Sequence, residues 1–405
     1  MINMSKTKNY THTIRACYIA YIIHATINNF APLLFLTFQS VYQIEIERIA
    51  LLVGVNFGVQ LLTSLFGANF ADKIGYRPMI MAGHIFAALG LIGLSVLPGI
   101  LPNAYVGLLI SVILYGIGGG TMEVLVSPIV EACPTDPDKK SAIMSLLHSF
   151  YCWGQVTVIV ISTLFFVAFG IEYWHILAII WAVIPVLNTI YFSRVPITQL
   201  GAGDTKSMSM RDLISTKLFW LLIVLMICAG ASELAMVQWA SLFAEDSLGI
   251  SKTLGDLLGP GMFAVLMGIS RVFYSKFSDK INLQKFIIAS GCLCIITYLV
   301  AAFSPIPIIA LIASALTGLS VGIMWPGMLS VATAKCPRGG TAMFALLAVG
   351  GTIGCAVGPV TVGMIAGAAE GGIRAGLAFG TIFPIVLVIG VVLLIKGGQK
   401  WFKQL

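Results

Sequence analysis

The sequence predicts an all-α membrane protein of twelve transmembrane helices, arranged as two six-helix repeats. The first indication is composition: 59% of the 405 residues are hydrophobic, 10% are charged, and the mean hydropathy is +0.99. Such a chain has too little polar surface to cover a soluble globule. The second indication is the length of the apolar runs, about 20 residues each, which lets a helix cross roughly 30 Å of hydrocarbon. Helices are expected because lipid offers no partner to an open backbone.

Twelve spans can be placed, and a polar connection at 194–217 divides them six and six. The predicted N-terminal bundle is 1–193, the linker is 194–217, and the C-terminal bundle is 218–405. The stretch before span 1 is polar and that span is full-length, which indicates a retained membrane helix and not a cleaved signal peptide. The predicted spans are 16–38, 48–71, 78–98, 104–132, 141–168, 174–193, 218–244, 254–276, 284–303, 306–333, 341–366 and 374–396.

The basic residues predict the orientation. With a cytoplasmic N-terminus, most of the 23 Lys and Arg residues fall inside, and Arg48, Lys252 and Arg374 fall outside. Both termini are then cytoplasmic in a multi-pass protein of a bacterial cytoplasmic membrane. The net charge of +7 follows from this bias, and no basic cluster with interleaved aromatics indicates a nucleic-acid partner. The eight cysteines lack framework spacing, so free thiols are expected.

The two halves of the chain repeat each other at a nearly constant shift. The matched positions are glycines and methionines of spans 4 and 10, and an acidic–basic pair after spans 2 and 8. Parallel six-helix repeats are typical of transporters that bind substrate at the membrane midplane. The matches are Gly116, Gly120 and Met122 with Gly318, Gly322 and Met324, and Asp72-Lys73 with Asp279-Lys280.

A motif after span 2, Gly67-Ala-Asn-Phe-Ala-Asp72-Lys73-Ile-Gly75-Tyr-Arg77, resembles the loop 2–3 signature of the major facilitator superfamily. The resemblance covers the whole chain, including the twelve spans, the repeat and the linker, and it implies the major facilitator fold. Gly67 would let helices approach closely, Asp72 can face a positive helix N-terminus, and Arg77 is expected to hold a cytoplasmic gate. The full predicted gate is Gly67, Asp72, Lys73, Gly75, Arg77, Glu131, Arg271 and Asp279.

Spans 4 and 5 also resemble the fucose-permease-like group of sugar:proton symporters. The resemblance rests on Gly116-Ile-Gly-Gly-Gly-Thr-Met-Glu123 and on Leu147-His148-Ser149-Phe150-Tyr151. The match departs at Ser127, where that group has asparagine, and at Asn28-Asn29, where an acid is expected. An antiporter-like Gly354-Cys-Ala-Val-Gly358-Pro359 occurs in span 11 instead of span 5. The resemblance implies proton-coupled sugar uptake, with proton-antiporting export of drugs or metabolites as the alternative.

Two carboxylates lie deep in apolar spans, Glu123 in span 4 and Glu233 in span 7. An ionisable group at that depth is costly in lipid, so it usually faces a protein interior or a water-filled path. His148 lies at a depth similar to that of Glu123, and a hydrogen-bonded pair could bind and release a proton. These three residues are the predicted proton-coupling groups. The alternative for each is a polar clamp between helices.

Mid-span aromatic and amide side chains are the predicted ligands of a small neutral solute, most simply a monosaccharide. A flat ring suits the apolar face of a sugar, and amides both donate and accept hydrogen bonds. Helix packing is the alternative for each tryptophan. Apart from Arg271 no basic residue is available in the cavity-lining stretches, which disfavours anionic substrates. The predicted substrate-binding residues are Asn28, Asn29, Gln60, Trp153, Gln155, Gln238, Trp239 and Trp325.

The expected partners are the solute, a proton and the lipid bilayer, and the expected state is a monomer. No P-loop sequence occurs, so neither a nucleotide nor another cofactor is expected. An enzyme is not expected, because no nucleophile, metal-ligand cluster or soluble domain accompanies Glu123 and His148.

Overall fold

The computed structural model describes residues 10–133, 137–198, 213–277, 281–336 and 340–397. Within these ranges the chain forms helices and no strand, and twelve segments are long and apolar enough to cross a membrane. The predicted fold class is therefore confirmed. The spans, numbered as in the prediction, are Thr11–Tyr42, Ile46–Gly67, Tyr76–Ile100, Ala104–Val130, Leu146–Phe169, Ile171–Arg194, Lys217–Ser247, Lys252–Tyr274, Leu283–Phe303, Pro307–Ala332, Leu346–Ala368 and Gly372–Lys396.

Most spans are single helices, whereas spans 1, 7, 8, 10 and 12 are interrupted. Short 3-10 turns occur at Ala31–Leu34 and Ile171–Tyr173, and π-helical turns at Phe243–Ser247 and Leu257–Gly261. The α-helices are Thr11–Asn29, Phe35–Tyr42, Ile46–Ile74, Tyr76–Ile100, Ala104–Glu131, Pro137–Phe169, Trp174–Arg194, Lys217–Val237, Ala240–Leu242, Lys252–Asp256, Met262–Phe277, Leu283–Phe303, Pro307–Val321, Met324–Lys335, Gly340–Ala368, Gly372–Gly380 and Ile382–Gly397.

Prolines explain three of these interruptions. Proline has no N–H, and its ring displaces the carbonyl group four residues earlier. Pro32 lies in the 3-10 turn of span 1, and Pro260 lies in the π-helical turn of span 8. In span 10 the helix is interrupted around Gly322, four residues before Pro326. At the breaks in spans 1 and 10 a carbonyl oxygen accepts from a side chain of another span: Leu33 from Lys252, and Gly322 from Arg271.

Residue contacts divide the chain into two compact units. Unit 1 comprises Met1–Phe30, Val59–Val158 and Phe169–Asp204. Spans 3 and 4 pack closely within it, because a side chain at Gly90 or Gly118 would overlap the backbone of the facing span. Small residues of this kind allow close helix packing in membranes, where lipid provides no hydrophobic force between helices.

Unit 2 comprises Ala31–Gly58, Ile159–Ala168 and Thr205–Leu405. It contains spans 7–12 together with the ends of spans 1, 2 and 5. Spans 7 and 11 also pack closely, since a side chain at Gly230 or Gly354 would overlap a facing carbonyl group. The six-and-six division at the linker stays a prediction, and residues 199–212 of that linker lie outside the described residues. All eight cysteines are free thiols.

Candidate functional site

A chain of hydrogen bonds between neutral side chains runs through the interior of unit 1. His24 Nε2 lies 2.9 Å from Gln60 Oε1, and the Gln60 amide donates to Asn28 Oδ1 at 2.8 Å. The Asn28 amide in turn donates to the Tyr151 hydroxyl at 3.3 Å. His24, Asn28 and Gln60 are buried. The chain joins spans 1, 2 and 5, and it includes two predicted substrate-binding residues, Asn28 and Gln60.

The direction of this chain defines the tautomer of His24. Because Gln60 donates through its amide nitrogen, its oxygen faces His24 and accepts from the Nε2–H. The other ring nitrogen, Nδ1, is buried with no hydrogen-bond partner among the described residues. An unsatisfied buried polar group costs about 1–3 kcal/mol. This nitrogen therefore favours a polar partner such as water or a hydroxyl group.

Glu123 and His148, the predicted coupling residues of unit 1, each lie beside a hydroxyl group of a neighbouring span. The half-buried Glu123 lies 3.4 Å from the Ser64 hydroxyl of span 2, which also donates to the Gly120 carbonyl oxygen at 3.1 Å. His148 Nδ1 lies 3.4 Å from the Tyr21 hydroxyl of span 1, which also lies 3.3 Å from Ser127 Oγ. The rings of Tyr21 and His148 meet edge to face, with centroids 5.4 Å apart. A direct bond between Glu123 and His148 stays a prediction.

The hydrogen-bonded chain and Glu123 lie on the same side of span 2. Gln60 and Ser64 are four residues apart, so they occupy one face of that helix. This face packs against the glycine-rich part of span 4, where a Cβ at Gly119 would lie 2.9 Å from the Gln60 side chain. The glycines therefore make room for Gln60 one turn before Glu123. The sequence showed the glycine run, but not the residue that fills the space beside it.

Two residues of the predicted gate motif have defined structural roles. Gly75 has φ +96°, a conformation that favours glycine, and forms the turn between spans 2 and 3. Arg77 donates to the carbonyl oxygens of Phe192, Ser193 and Val195 at 2.8, 2.6 and 2.7 Å. The last carbonyl groups of a helix lack N–H partners. Arg77 therefore caps the end of span 6, and a gating role stays a prediction.

Other gate residues are only partly described. A Cβ at Gly67 would lie 3.3 Å from Val124 Cγ1, so spans 2 and 4 approach closely there. The side chains of Asp72, Lys73 and Glu131 lie outside the described residues, as does all of Asp279. The predicted contact of Arg271 with Asp279 therefore stays a prediction.

In unit 2 the structure pairs Glu233 with Arg271, a contact that the sequence did not predict. Arg271 Nη2 lies 3.9 Å from Glu233 Oε2, and Arg271 Nε donates to the Gly322 carbonyl oxygen at 3.2 Å. That oxygen is open because Pro326 has no N–H to donate to it. The Glu233 side chain is 12% exposed and that of Arg271 is 28% exposed, so most of the pair is buried. A predicted gate residue is thus the partner of a predicted coupling residue.

The three mid-span tryptophans have different surroundings. Trp239 is fully buried: its ring lies 5.4 Å from that of Phe35, and its Nε1 donates to the Pro359 carbonyl oxygen at 3.0 Å. Trp325 lies directly against Gly351, where a side chain would overlap its ring. Trp153 is 55% exposed. Trp239 and Trp325 are packing residues in this structure, so solute contact by either stays a prediction.

The remaining predicted ligands are amides. The Asn29 amide donates to the Ala25 carbonyl oxygen of its own helix at 2.8 Å. Gln155 and Gln238 are both buried, and Gln155 makes no hydrogen bond within the described part of the chain. Its amide therefore retains donors and an acceptor for a ligand. Among the described residues no His, Cys, Asp and Glu side chains are grouped to hold a metal ion.

The model of the family described as the Major Facilitator Superfamily matches residues 17–359. The chain belongs to the major facilitator superfamily. The predicted family is thereby confirmed, and the protein is a multi-pass membrane transporter. A curated relative, the multi-drug resistance efflux pump PmrA of Streptococcus pneumoniae, is 22% identical over 333 residues, which are 79% of this chain and 81% of the pump.

Solved structures with the same fold include two symporters. A D-xylose-proton symporter has a TM-score of 0.76 at 13% identity, covering 95% of this chain and 97% of the symporter. The E. coli fucose:proton symporter has a TM-score of 0.65 at 16% identity, covering 95% and 99%. A bacterial homologue of the human lysosomal transporter Spinster, inward-facing and unoccupied, has a TM-score of 0.74 at 14% identity, covering 98% and 99%. At these identities the likeness shows the fold.

Proposed function

We propose that this superfamily member takes up a small neutral solute, most simply a monosaccharide, together with a proton by alternating access. The observation that carries the proposal is the neutral chain of His24, Gln60, Asn28 and Tyr151 beside Glu123 in unit 1. Imidazole, amide and phenol groups exchange hydrogen bonds with hydroxyl groups and need no counter-charge from the ligand. A polyhydroxyl solute fits these groups better than an anion does.

Glu123 is the proposed proton carrier. A carboxylate in a span is costly when ionised, so its protonation can be linked to the passage of solute. The Ser64 hydroxyl can donate to the carboxylate, or donate to the Gly120 carbonyl oxygen and accept from the acid, so the contact with Glu123 persists in both protonation states. Glu233 is the second choice, because Arg271 already supplies its counter-charge. His148 and Tyr21 provide further polar groups on spans 1 and 5.

Transport into proteoliposomes with an imposed pH gradient tests this proposal. Labelled monosaccharides should accumulate when the solution on the predicted extracellular face is acidic. Glu123→Gln, which mimics the protonated acid, should retain solute exchange and lose gradient-driven accumulation. Glu370→Gln, an exposed carboxylate change, is the control and should behave as the wild type. Unchanged accumulation by Glu123→Gln would move the coupling role to Glu233.

Proton-antiporting export of drugs or metabolites is the second candidate. It is favoured by the similarity to the S. pneumoniae efflux pump and by the antiporter-like sequence Gly354–Pro359 in span 11. In the structure Gly354 and Gly358 pack against Ile227 and Ala231 of span 7. The same assay separates the candidates, because an acidic exterior drives solute out of the vesicle for an antiporter and into it for a symporter.

A further inference from the structure

A second group of charges lies at the predicted extracellular end of unit 2. Lys252 Nζ lies 3.0 Å from Glu245 Oε1 and 3.1 Å from Asp256 Oδ2. The Asp256 side chain is fully buried, and those of Lys252 and Glu245 are 19% and 15% exposed. We call these three residues the outer cluster. None of them belongs to the predicted transport site.

The outer cluster lies on spans 7 and 8 and also contacts spans 1 and 5. Lys252 donates to the Leu33 carbonyl oxygen, in the interrupted part of span 1, at 2.6 Å. Asp256 accepts hydrogen bonds from Ser241 of span 7 and, at 3.4 Å, from Thr163 of span 5. All of these residues belong to unit 2. The outer cluster therefore holds the ends of spans 1 and 5 against spans 7 and 8.

The outer cluster is unbalanced in charge. Two carboxylates share one ammonium group, so the fully ionised cluster carries a net charge of −1. Enclosing an uncompensated charge costs several kcal/mol unless a group is neutralised. The contacts of Lys252 are otherwise uncharged: the Leu33 carbonyl, the Ser241 hydroxyl and the ring of Phe166, whose centroid lies 5.7 Å away.

Neighbouring charges do not cancel the excess. Arg374 of span 12 lies 5.9 Å from the centroid of the Phe243 ring, and it donates to the carbonyl oxygens of Ala302 and Ser304 and pairs with neither carboxylate. Asp246 is exposed. At the start of span 2, Glu45 and Arg48 pair with each other on the surface, and Glu47 lies against Gly367. The described parts of spans 1, 5 and 10 that pack here carry no acidic or basic side chain.

We propose that the outer cluster is a proton-binding site that takes up one proton when these four spans close around it. A proton shared between Glu245 and Asp256 makes the enclosed group neutral. In the predicted orientation the proton comes from the extracellular solution and returns to it, so it is distinct from a transported proton. By linkage, acid stabilises the closed arrangement and alkaline solution favours its opening. This inference does not depend on which solute is carried.

Hydrogen exchange of the full chain in lipid nanodiscs tests the site. After correction for the intrinsic effect of pH, exchange of residues 31–42 and 241–261 should rise about tenfold between about pH 5.5 and about pH 8.5. In Glu245→Gln the outer cluster has one carboxylate and one ammonium group, so it is neutral without taking up a proton. Hydrogen exchange of the two segments should therefore stay low and no longer depend on pH. Asp256→Asn, which can still accept from Ser241 and Thr163, should do the same.

Two further variants complete the test. Lys252→Met leaves two carboxylates without a cation, so exchange should be raised at both pH values, and more at alkaline pH. Asp246→Asn is the matched control, an exposed carboxylate beside Glu245, and should keep the pH dependence of the wild type. The proposal is overturned if Glu245→Gln and Asp256→Asn both keep that dependence, or if Lys252→Met stays as protected as the wild type.

Discussion

The polar interior of unit 1 and that of unit 2 are built from different kinds of groups. In unit 1 an imidazole, two amides and a phenol bond to one another in sequence, from His24 to Tyr151. In unit 2 the corresponding contacts are ionic: Glu233 with Arg271, and Lys252 with two carboxylates. Both arrangements give partners to polar groups that lipid cannot solvate, although His24 Nδ1 has none among the described residues.

The difference determines how each unit responds to its surroundings. Neutral groups can exchange one hydrogen-bond partner for another at low cost, so they suit a solute that enters and leaves. Charges must be balanced before they are enclosed, so they hold helices together and respond to protons. Unit 1 therefore supplies the proposed solute-binding groups, and unit 2 supplies ion pairs that hold spans together.

Removing the cation from the ion pair of unit 2 should have the largest effect on stability. Arg271→Met leaves Glu233 without its counter-charge and the Gly322 carbonyl without its donor. Breaking a buried pair costs about 3–5 kcal/mol, and the exposure of this pair reduces the expected loss to about 2 kcal/mol. Thermal unfolding in detergent should show a lower midpoint.

Two variants test whether the unbalanced charge of Glu233 causes that loss of stability. Adding Glu233→Gln to Arg271→Met removes the unbalanced charge and should recover most of the stability. Lys276→Met removes an exposed cation at the end of the same helix and should leave the midpoint unchanged. Failure of the double variant to recover would contradict the charge-balance explanation.

Breaking the neutral chain of unit 1 should cost less. Gln60→Leu removes the hydrogen bonds to His24 Nε2 and to the side-chain oxygen Oδ1 of Asn28, an expected loss of about 1–2 kcal/mol. The unfolding midpoint should fall by less than for Arg271→Met, whereas solute affinity should be lost. A larger fall in the midpoint than for Arg271→Met would reverse the comparison between the units.

Gln155→Leu is the change in unit 1 that is matched to Gln60→Leu. It replaces a buried amide that makes no hydrogen bond within the described residues. Its effect on the unfolding midpoint should be small. If the amide binds solute, affinity should fall about tenfold, which corresponds to about 1.4 kcal/mol. Isothermal titration with the solute proposed above measures this change, and unaltered affinity would remove Gln155 from the proposed site.

The smallest effect should come from two helix caps, one in each unit. Asn103 accepts from the Tyr105 N–H at 3.0 Å, and Asn282 accepts from the Lys285 N–H at 3.1 Å. Replacing either by alanine should cost about 1 kcal/mol. Equal shifts in the unfolding midpoint would show that a helix cap contributes the same stability in both units. Unequal shifts would mean that the units differ in more than their buried polar groups.

The helix interruptions show how far the sequence predicts the fold. The spans follow from apolar runs of sufficient length, and the structure confirms all twelve. The breaks in spans 1, 8 and 10 contain or precede visible prolines, but proline alone does not decide between a kink and a break. In span 10 the outcome depends on Arg271, which reaches the Gly322 carbonyl from another span.

The site residues show the same limit. Glu123 and Glu233 stand out because a carboxylate in an apolar run is rare. His24 is as visible in span 1, but nothing in its local sequence connects it to Gln60. From the sequence, Trp239 is a candidate for stacking on a sugar, whereas in the structure its ring is buried and packs against Phe35. A side chain's role here depends on what faces it from other spans.

The sequence by itself was enough to predict the number and approximate bounds of the spans and the superfamily. It also identified two carboxylates, Glu123 and Glu233, in the middle of apolar spans. Hydrophobic length, charge and motif are local properties that one chain segment displays by itself. Only the tertiary structure decided the pairings of Glu233 with Arg271, His24 with Gln60, and Lys252 with its two carboxylates. Most of these contacts form between spans, and they depend on the rotation and depth of each helix, which are set by packing against neighbouring helices.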